Sequence, residues 1–278
     1  MIYRIKTNLF LCKKIFQTFF CTFKELNTKQ DKEIKLSNTV VRYNTFGSGK
    51  NVIVFLHGWG QSKATWYKIA SHFKKDYLIY VLDLPGFGNS SYLAFPFTIL
   101  DYAKILKEFF KKRKISKAVL IGHSFGGKIV AQFAAKYPEN IKKLVLYSAD
   151  LVSDSSTLKK IILLVIKIVI NPKLSFLLRT YFLLSNKSHK RFIKLCKIYM
   201  NSNLNKKIFK DLVQINKPIL VIYGKYDFLF SLARVKQNFK SLPRAKFIEF
   251  KKSSHLAHLE EEKMFEKELA KFIREKLK

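Results

Sequence analysis

Three residues far apart in the chain could do one piece of chemistry together. Ser124 sits in Gly122-His123-Ser124-Phe125-Gly126. Before it runs an apolar stretch, Ala118-Val119-Leu120-Ile121. After it comes a helical pattern from Gly126 to Tyr137, with apolar residues at Ile129, Val130, Phe133 and Ala134. A serine on a strand-to-helix turn must adopt a strained backbone to expose its hydroxyl. Small residues two places before and two places after keep neighbouring chain out of its way. Asp227 ends Gly224-Lys225-Tyr226-Asp227, just past the apolar run Pro218 to Tyr223, and His255 ends the loop from Lys251 that follows Ala245 to Phe250. A serine hydroxyl is a poor nucleophile at neutral pH. It needs a base to take its proton and an oriented acid to hold that base in the right tautomer.

Such groups must be positioned by rigid elements, and the apolar periodicity predicts them. Val40, Val41, Tyr43 and Phe46 make Glu33 to Phe46 extended, and Gly47-Ser48-Gly49 turns the chain. Asn51 to Leu56, Tyr77 to Leu82, Ala118 to Ile121, Lys143 to Tyr147, Pro218 to Tyr223 and Ala245 to Phe250 read as buried strands. Helical spacing is predicted over 64–73, 97–113 (Ile99, Tyr102, Ala103, Leu106, Phe109, Phe110), 126–137, 231–240 and 260–278. Strands alternating with helices imply a mostly parallel sheet covered on both faces, with functional loops at the carboxyl ends of the strands. Ser124, Asp227 and His255 all stand at such ends. The alternation breaks after Ser148. From Ser155 to about Lys210 the chain is basic and aliphatic, with Lys-Lys-Ile-Ile-Leu-Leu-Val-Ile-Lys-Ile-Val-Ile before Asn171-Pro172. That apolar run is too short to span a bilayer.

The charge, formally +34, at first suggests nucleic acid or an anionic membrane. The composition argues against nucleic acid: 45 Lys stand against 8 Arg, and the lysines are spread along the chain instead of forming one block. Arginine is the residue suited to bidentate phosphate and base contacts. No nucleic-acid partner is expected, and the charge reads as a solvated basic surface. Residues 1–25 are apolar, aromatic and interrupted by Lys13 and Lys14, with neither an unbroken secretory core nor a cleavage site. As a helix they would gather Leu9, Phe16, Phe20 and Phe23 on one side, which suits packing on the body of the protein or peripheral membrane contact, for which the basic, aliphatic segment after Ser148 is the other candidate. The three cysteines, Cys12, Cys21 and Cys196, form no metal or redox motif and fit a reducing compartment or inert thiols, so a cytoplasmic or membrane-associated location is expected. There is no P-loop, no dinucleotide fingerprint and no metal-spaced His/Glu cluster, so no cofactor and no metal are expected.

His57-Gly58-Trp59-Gly60-Gln61, Asp83-Leu84-Pro85-Gly86-Phe87-Gly88-Asn89-Ser90, the Ser124 motif, Gly224 to Asp227 and Ser253-Ser254-His255-Leu256-Ala257-His258-Leu259-Glu260 occur in this order. Together they resemble motifs of the α/β-hydrolase superfamily, in its lidded group of esterases and carbon–carbon bond hydrolases. The resemblance runs from about Glu33 to the C-terminus. It implies an α/β fold with a mostly parallel, eight-stranded-type sheet and helices on both faces. An extension (1–32), a core (33–148 and 217–278) and an inserted helical lid (149–216) divide the chain. It makes Ser124 the nucleophile, Asp227 the orienting acid and His255 the base, with the backbone N–H groups of Trp59 and Phe125 as the oxyanion hole. His57, Gly58, Gly122 and Gly126 support them. The rivals are His258 or His123 as base and Asp150 as acid. Asp83 is expected to be structural, and His72 and His189 surface residues. Where the group usually carries Gly before its histidine, this chain has Ser254. Serine at the elbow points away from dehalogenase and epoxide-hydrolase chemistry, which relatives perform with a carboxylate. The implied activity is carboxylesterase-like hydrolysis of a small apolar substrate. Carbon–carbon bond hydrolysis, thioesterase or aminopeptidase chemistry on the same residues, and a non-catalytic ligand- or membrane-binding role, are the alternatives.

Overall fold

The structure, a computed structural model, describes residues 31–91, 97–149, 151, 202–227 and 232–275. Most of the expected extension 1–32, Asp150, His189 and the greater part of segment 149–216 lie outside the described residues.

Strands β1 (Lys32–Leu36), β2 (Thr39–Phe46), β3 (Asn51–Leu56), β4 (Tyr77–Leu82), β5 (Ala118–His123), β6 (Ile141–Tyr147), β7 (Ile219–Gly224) and β8 (Ala245–Phe250) form one eight-stranded sheet. Their order is β1-β2-β4-β3-β5-β6-β7-β8. β2 runs antiparallel to both β1 and β4, and every other pairing is parallel. The single extended stretch read from the sequence is therefore a hairpin. Its turn, Ser37-Asn38, is held from a distance: Glu108 accepts from Ser37 N–H at 3.0 Å and from its hydroxyl at 2.8 Å.

Successive strand residues point to opposite faces, and both faces are covered. Val54 and Leu56 lie in one buried cluster, Ile53 and Phe55 in the other. This is why the central strands read as unbroken apolar runs. A short 3₁₀ turn (Lys63–Trp66) leads into α1 (Tyr67–Ser71). The other helices are α2 (Ile99–Lys112), α3 (Phe125–Lys136), α4 (Ser202–Val213), α5 (Leu232–Phe239), α6 (Ala257–Glu260) and α7 (Glu262–Arg274). α2 begins at a reciprocal capping box: Asp101 N–H donates to the Thr98 hydroxyl, and the Asp101 carboxylate accepts from Thr98 N–H. That satisfies two of the N–H groups a helix start leaves over. Its buried face is the one the spacing predicts: Ile99, Tyr102, Ala103, Leu106, Phe109 and Phe110. In α4, the described end of segment 149–216, Ile208 and Leu212 are buried in the same cluster as α3.

On the other face α7 ends against β6. The buried Lys143 ammonium donates to the carbonyls of Phe272 (2.6 Å), Ile273 (3.1 Å) and Glu275 (2.6 Å). Burial pushes its pKa down. A cation here satisfies carbonyls that the helix leaves without partners and complements the negative end of its dipole. Lys143→Met is expected to lower unfolding free energy by about 2–3 kcal/mol, because buried carbonyls lose their donor. Urea unfolding of the two proteins measures this; equal midpoints would contradict it.

Candidate active site

Four loops at the carboxyl ends of β3, β5, β7 and β8 converge. β5 delivers Ser124 with φ 50° and ψ −108°, a conformation an L-residue rarely adopts. The elbow is held open from both sides: Ser124 N–H donates to Tyr147 O on β6 at 2.8 Å, and α3 starts at the next residue. The glycines flanking it are required by space. A Cβ on Gly126 would lie 2.6 Å from the carbonyl oxygens of Leu56 and His57, and one on Gly122 2.4 Å from Gly126 O. Ser124 is 5% exposed, at the edge of the buried region.

β7 delivers Asp227, whose N–H turns back to Gly224 O at 3.2 Å. The loop after β8 delivers His255. Its Nδ1–H donates to Asp227 Oδ2 at 2.8 Å, and both side chains are buried. Ser254 stands where a glycine is usual, and two carboxylates shape that loop. Glu260 accepts from Ser254 N–H and, at 2.7 Å, from its hydroxyl. Glu261 accepts from Ser253 Oγ at 2.6 Å and from Lys252 N–H at 2.9 Å. The tight crossing is accommodated on the β7 side, where a Cβ on Gly224 would sit 1.9 Å from Ser254 O.

β3 delivers the fourth loop. His57 Nδ1–H donates to Gly58 O at 2.7 Å, and its Nε2 accepts from Leu84 N–H at 3.0 Å. One ring nitrogen gives and the other receives, so the neutral form fits; burial lowers the His57 pKa accordingly. Gly58 N–H donates to Gln61 Oε1 at 2.8 Å. The Trp59 ring meets Phe125 edge-on at 5.5 Å and Phe87 at 5.6 Å, bringing Trp59 up to the elbow.

The rival residues are accounted for by their partners. His258 is buried between the Thr65 hydroxyl (Nε2, 2.9 Å) and the Tyr147 hydroxyl (Nδ1, 3.0 Å), and desolvation takes its pKa down to about 3. Asp227 is therefore paired with His255 and not with His258. His123 lies beside Gln61 and the His255 backbone. Asp83 is buried under the loop of β4, accepting from Lys63 N–H and Nζ, both at 2.6 Å, and from Asn89 N–H at 3.0 Å. His72 is half exposed beside Glu266. Gln61, Tyr147 and Glu260 had no role in the sequence reading. Gln61 and Glu260 stand inside the quoted motifs, and Tyr147 ends the strand next to the elbow, so position was their only signal.

Among the described residues no group of three or more His, Cys, Asp or Glu side chains could hold a metal ion. No helix among them is long and apolar enough to cross a membrane. A strained serine whose chain neighbour His123 has its ring 4.9 Å from that of His255, itself paired with a buried carboxylate, combines residue types used in nucleophilic acyl transfer.

The profile of the alpha/beta hydrolase fold family matches residues 51–193. The pimeloyl-[acyl-carrier protein] methyl ester esterase of Proteus mirabilis is 33% identical over 39% of this chain, a match that spans only 40% of that enzyme. A candidate esterase/lipase of Mycoplasma genitalium is 30% identical over 64% of this chain and 72% of its own. Among solved structures, a candidate lipase from Acinetobacter baumannii superposes with a TM-score of 0.76 at 22% identity, covering 88% of this chain and 90% of that one. That likeness speaks for the fold alone. With the eight-stranded sheet and the order of its loops, these matches place the chain in the α/β hydrolase family.

Proposed function

We propose that this protein is a serine hydrolase that cleaves an ester or related acyl bond through an acyl-serine intermediate. The observation that carries the reading is the buried His255–Asp227 hydrogen bond, 2.8 Å long, formed beside a serine held at φ 50°. Ser124 Oγ attacks the acyl carbon while its proton passes to His255 Nε2. Asp227 stays ionised, holds Nδ1–H and stabilises the imidazolium. The carbonyl oxygen takes the negative charge and is bound by the N–H groups of Trp59 and Phe125, each contributing about 3–4 kcal/mol at the transition state. His255 returns the proton to the departing oxygen, and the acyl group remains on Ser124. Water then gives up a proton to His255, attacks the same carbon and releases the acid.

Residues 149–216 follow the carboxyl end of β6, the strand beside the one that carries Ser124, and lead to the amino end of the parallel strand β7. We assign this segment as the lid, and its aliphatic composition favours an apolar acyl or aryl group beneath it. The esterase names among the relatives support the reaction class.

A fluorophosphonate probe is expected to label the folded protein stoichiometrically at Ser124, located by mass spectrometry of the peptides. In a p-nitrophenyl ester panel, rates should rise from acetate to medium-chain esters. Absence of label at Ser124 would remove the serine reading, and best turnover of short polar esters would remove the apolar pocket.

A further inference from the structure

His123, next to Ser124 in the chain, reaches two other loops of the site. Its Nδ1 is 3.0 Å from Gln61 Oε1, and its Nε2 is 3.1 Å from the backbone oxygen of His255. Its ring lies 4.9 Å from the His255 ring and 4.4 Å from that of Tyr147, centroid to centroid. Gln61 Oε1 already accepts from Gly58 N–H, which orients the carboxamide with its oxygen toward His123. The His123 imidazole therefore stands between two acceptors.

A neutral imidazole has one N–H, and burial beside two other histidines holds His123 neutral. The Tyr147 hydroxyl lies 3.1 Å from the same His255 oxygen and 3.0 Å from His258 Nδ1. Two proton arrangements follow. With its proton on Nδ1, His123 donates to Gln61. Tyr147 then donates to the His255 oxygen, His258 Nδ1–H donates to Tyr147, and the Thr65 hydroxyl donates to His258 Nε2. With its proton on Nε2, His123 itself donates to the His255 oxygen, and Tyr147 turns to His258 Nδ1. In both, the His255 carbonyl keeps a donor.

We infer that His123 and Tyr147 are positioning residues: in each arrangement one of them donates to the His255 main chain, and with its proton on Nδ1 His123 ties the Gly58–Gln61 loop beside the same point. The loop of His255 has no regular structure, so the direction of its imidazole depends on what grips its backbone. Asp227 grips the ring from one end, and the His123–Tyr147 pair grips the carbonyl. Both side chains are buried, and the role assigned to them acts through His255. The inference rests on the serine-hydrolase reading.

The test is a double-mutant cycle on kcat and KM for a p-nitrophenyl ester, with melting temperature and circular dichroism measured alongside. His123→Leu is expected to lower kcat between about ten- and a hundredfold, the scale of a misplacement near 1 Å, with KM unchanged. His123→Asn, which keeps an amide donor, restores most of that loss. Tyr147→Phe keeps the ring packing and costs less, because His123 can still serve the carbonyl. The double variant loses more than the product of the two single losses, because each residue covers for the other. If His123→Leu does not fold, the same comparison is made between Tyr147→Phe alone and Tyr147→Phe with His123→Ala, which also removes the donor. Wild-type kcat in the folded single and double variants overturns the inference, as does strict multiplicativity. Ser124→Ala and His255→Ala are run in parallel. Wild-type rates in those two overturn the serine-hydrolase reading instead, so the two failures are distinguishable.

Discussion

Ser124→Ala lowers ester turnover by about 10⁴-fold or more while leaving the melting temperature close to that of the unaltered protein; this is the expected result if Ser124 carries the acyl group. The hydroxyl is at the edge of the buried region, and its removal deletes no core contact. Alanine meets the same φ of 50° that serine already tolerates. The loss therefore appears in kcat and not in folding. Asp227→Asn should cost on a similar scale, about 10⁴-fold, for a different reason. The carboxylate can only accept, so it fixes the His255 proton on Nδ1 and leaves Nε2 able to take the serine proton. An asparagine amide can donate to Nδ1 and place the proton on Nε2, the wrong nitrogen for a base. Steady-state kinetics on the best ester of the panel measures both losses. Turnover by either folded variant near the wild-type rate would remove that residue from the proposed mechanism.

Acid is expected to destabilise this protein well above the pH at which its carboxylates titrate. His57, His123 and His258 are buried, and desolvation lowers the pKa of each; for His258 the value falls to about 3. In the unfolded chain each has an ordinary value near 6.5. Below about pH 6.5 the unfolded state gains these protons while the folded state does not, so stability falls as pH falls. The full contribution is present above about pH 6.5. For His258 the loss continues down to about pH 3. His123, also held well below its ordinary value, adds to the loss in the same direction. A fully suppressed histidine costs about 1.4 kcal/mol per pH unit, so at pH 5 His258 alone removes about 2 kcal/mol. His57 adds to this in the same direction. That is a sizeable share of the roughly 5–15 kcal/mol that holds a typical domain together. Urea unfolding at pH 7.5, 6.0 and 5.0 reads the slope directly. A flat dependence over this range would mean that the three rings become charged inside the folded protein, which the Leu84 N–H facing His57 Nε2 and the burial of His123 and His258 oppose.

Local chemistry made much of the fold legible. A strand buried on both faces must be apolar throughout, and Ala118 to Ile121 is. A helix with one buried side must repeat its apolar residues every three or four positions, and Ile99 to Phe110 does. The ends of such elements, punctuated by glycine and proline, drew attention to Ser124, Asp227 and His255. The first sheet edge was less legible. Ser37-Asn38 is a weak turn signal, and the hairpin there is secured by Glu108, 71 residues away.

By itself, then, the sequence determined which stretches are strands and helices, their alternation, and the order in which a serine, an acid and a histidine reach the ends of parallel strands. Only the tertiary structure decided which histidine meets Asp227. His255 and His258 are three residues apart and alike in type, yet one ring is turned to the carboxylate and the other is sealed between Thr65 and Tyr147. It also brought Gln61 and Tyr147 to the site. The physical reason is range. Strand and helix preferences are decided by neighbours a few residues apart, whereas the hydrogen bonds joining Gln61 to His123 and Tyr147 to His255 link residues 62 and 108 positions apart. Those partners exist only once the sheet has aligned its strand ends.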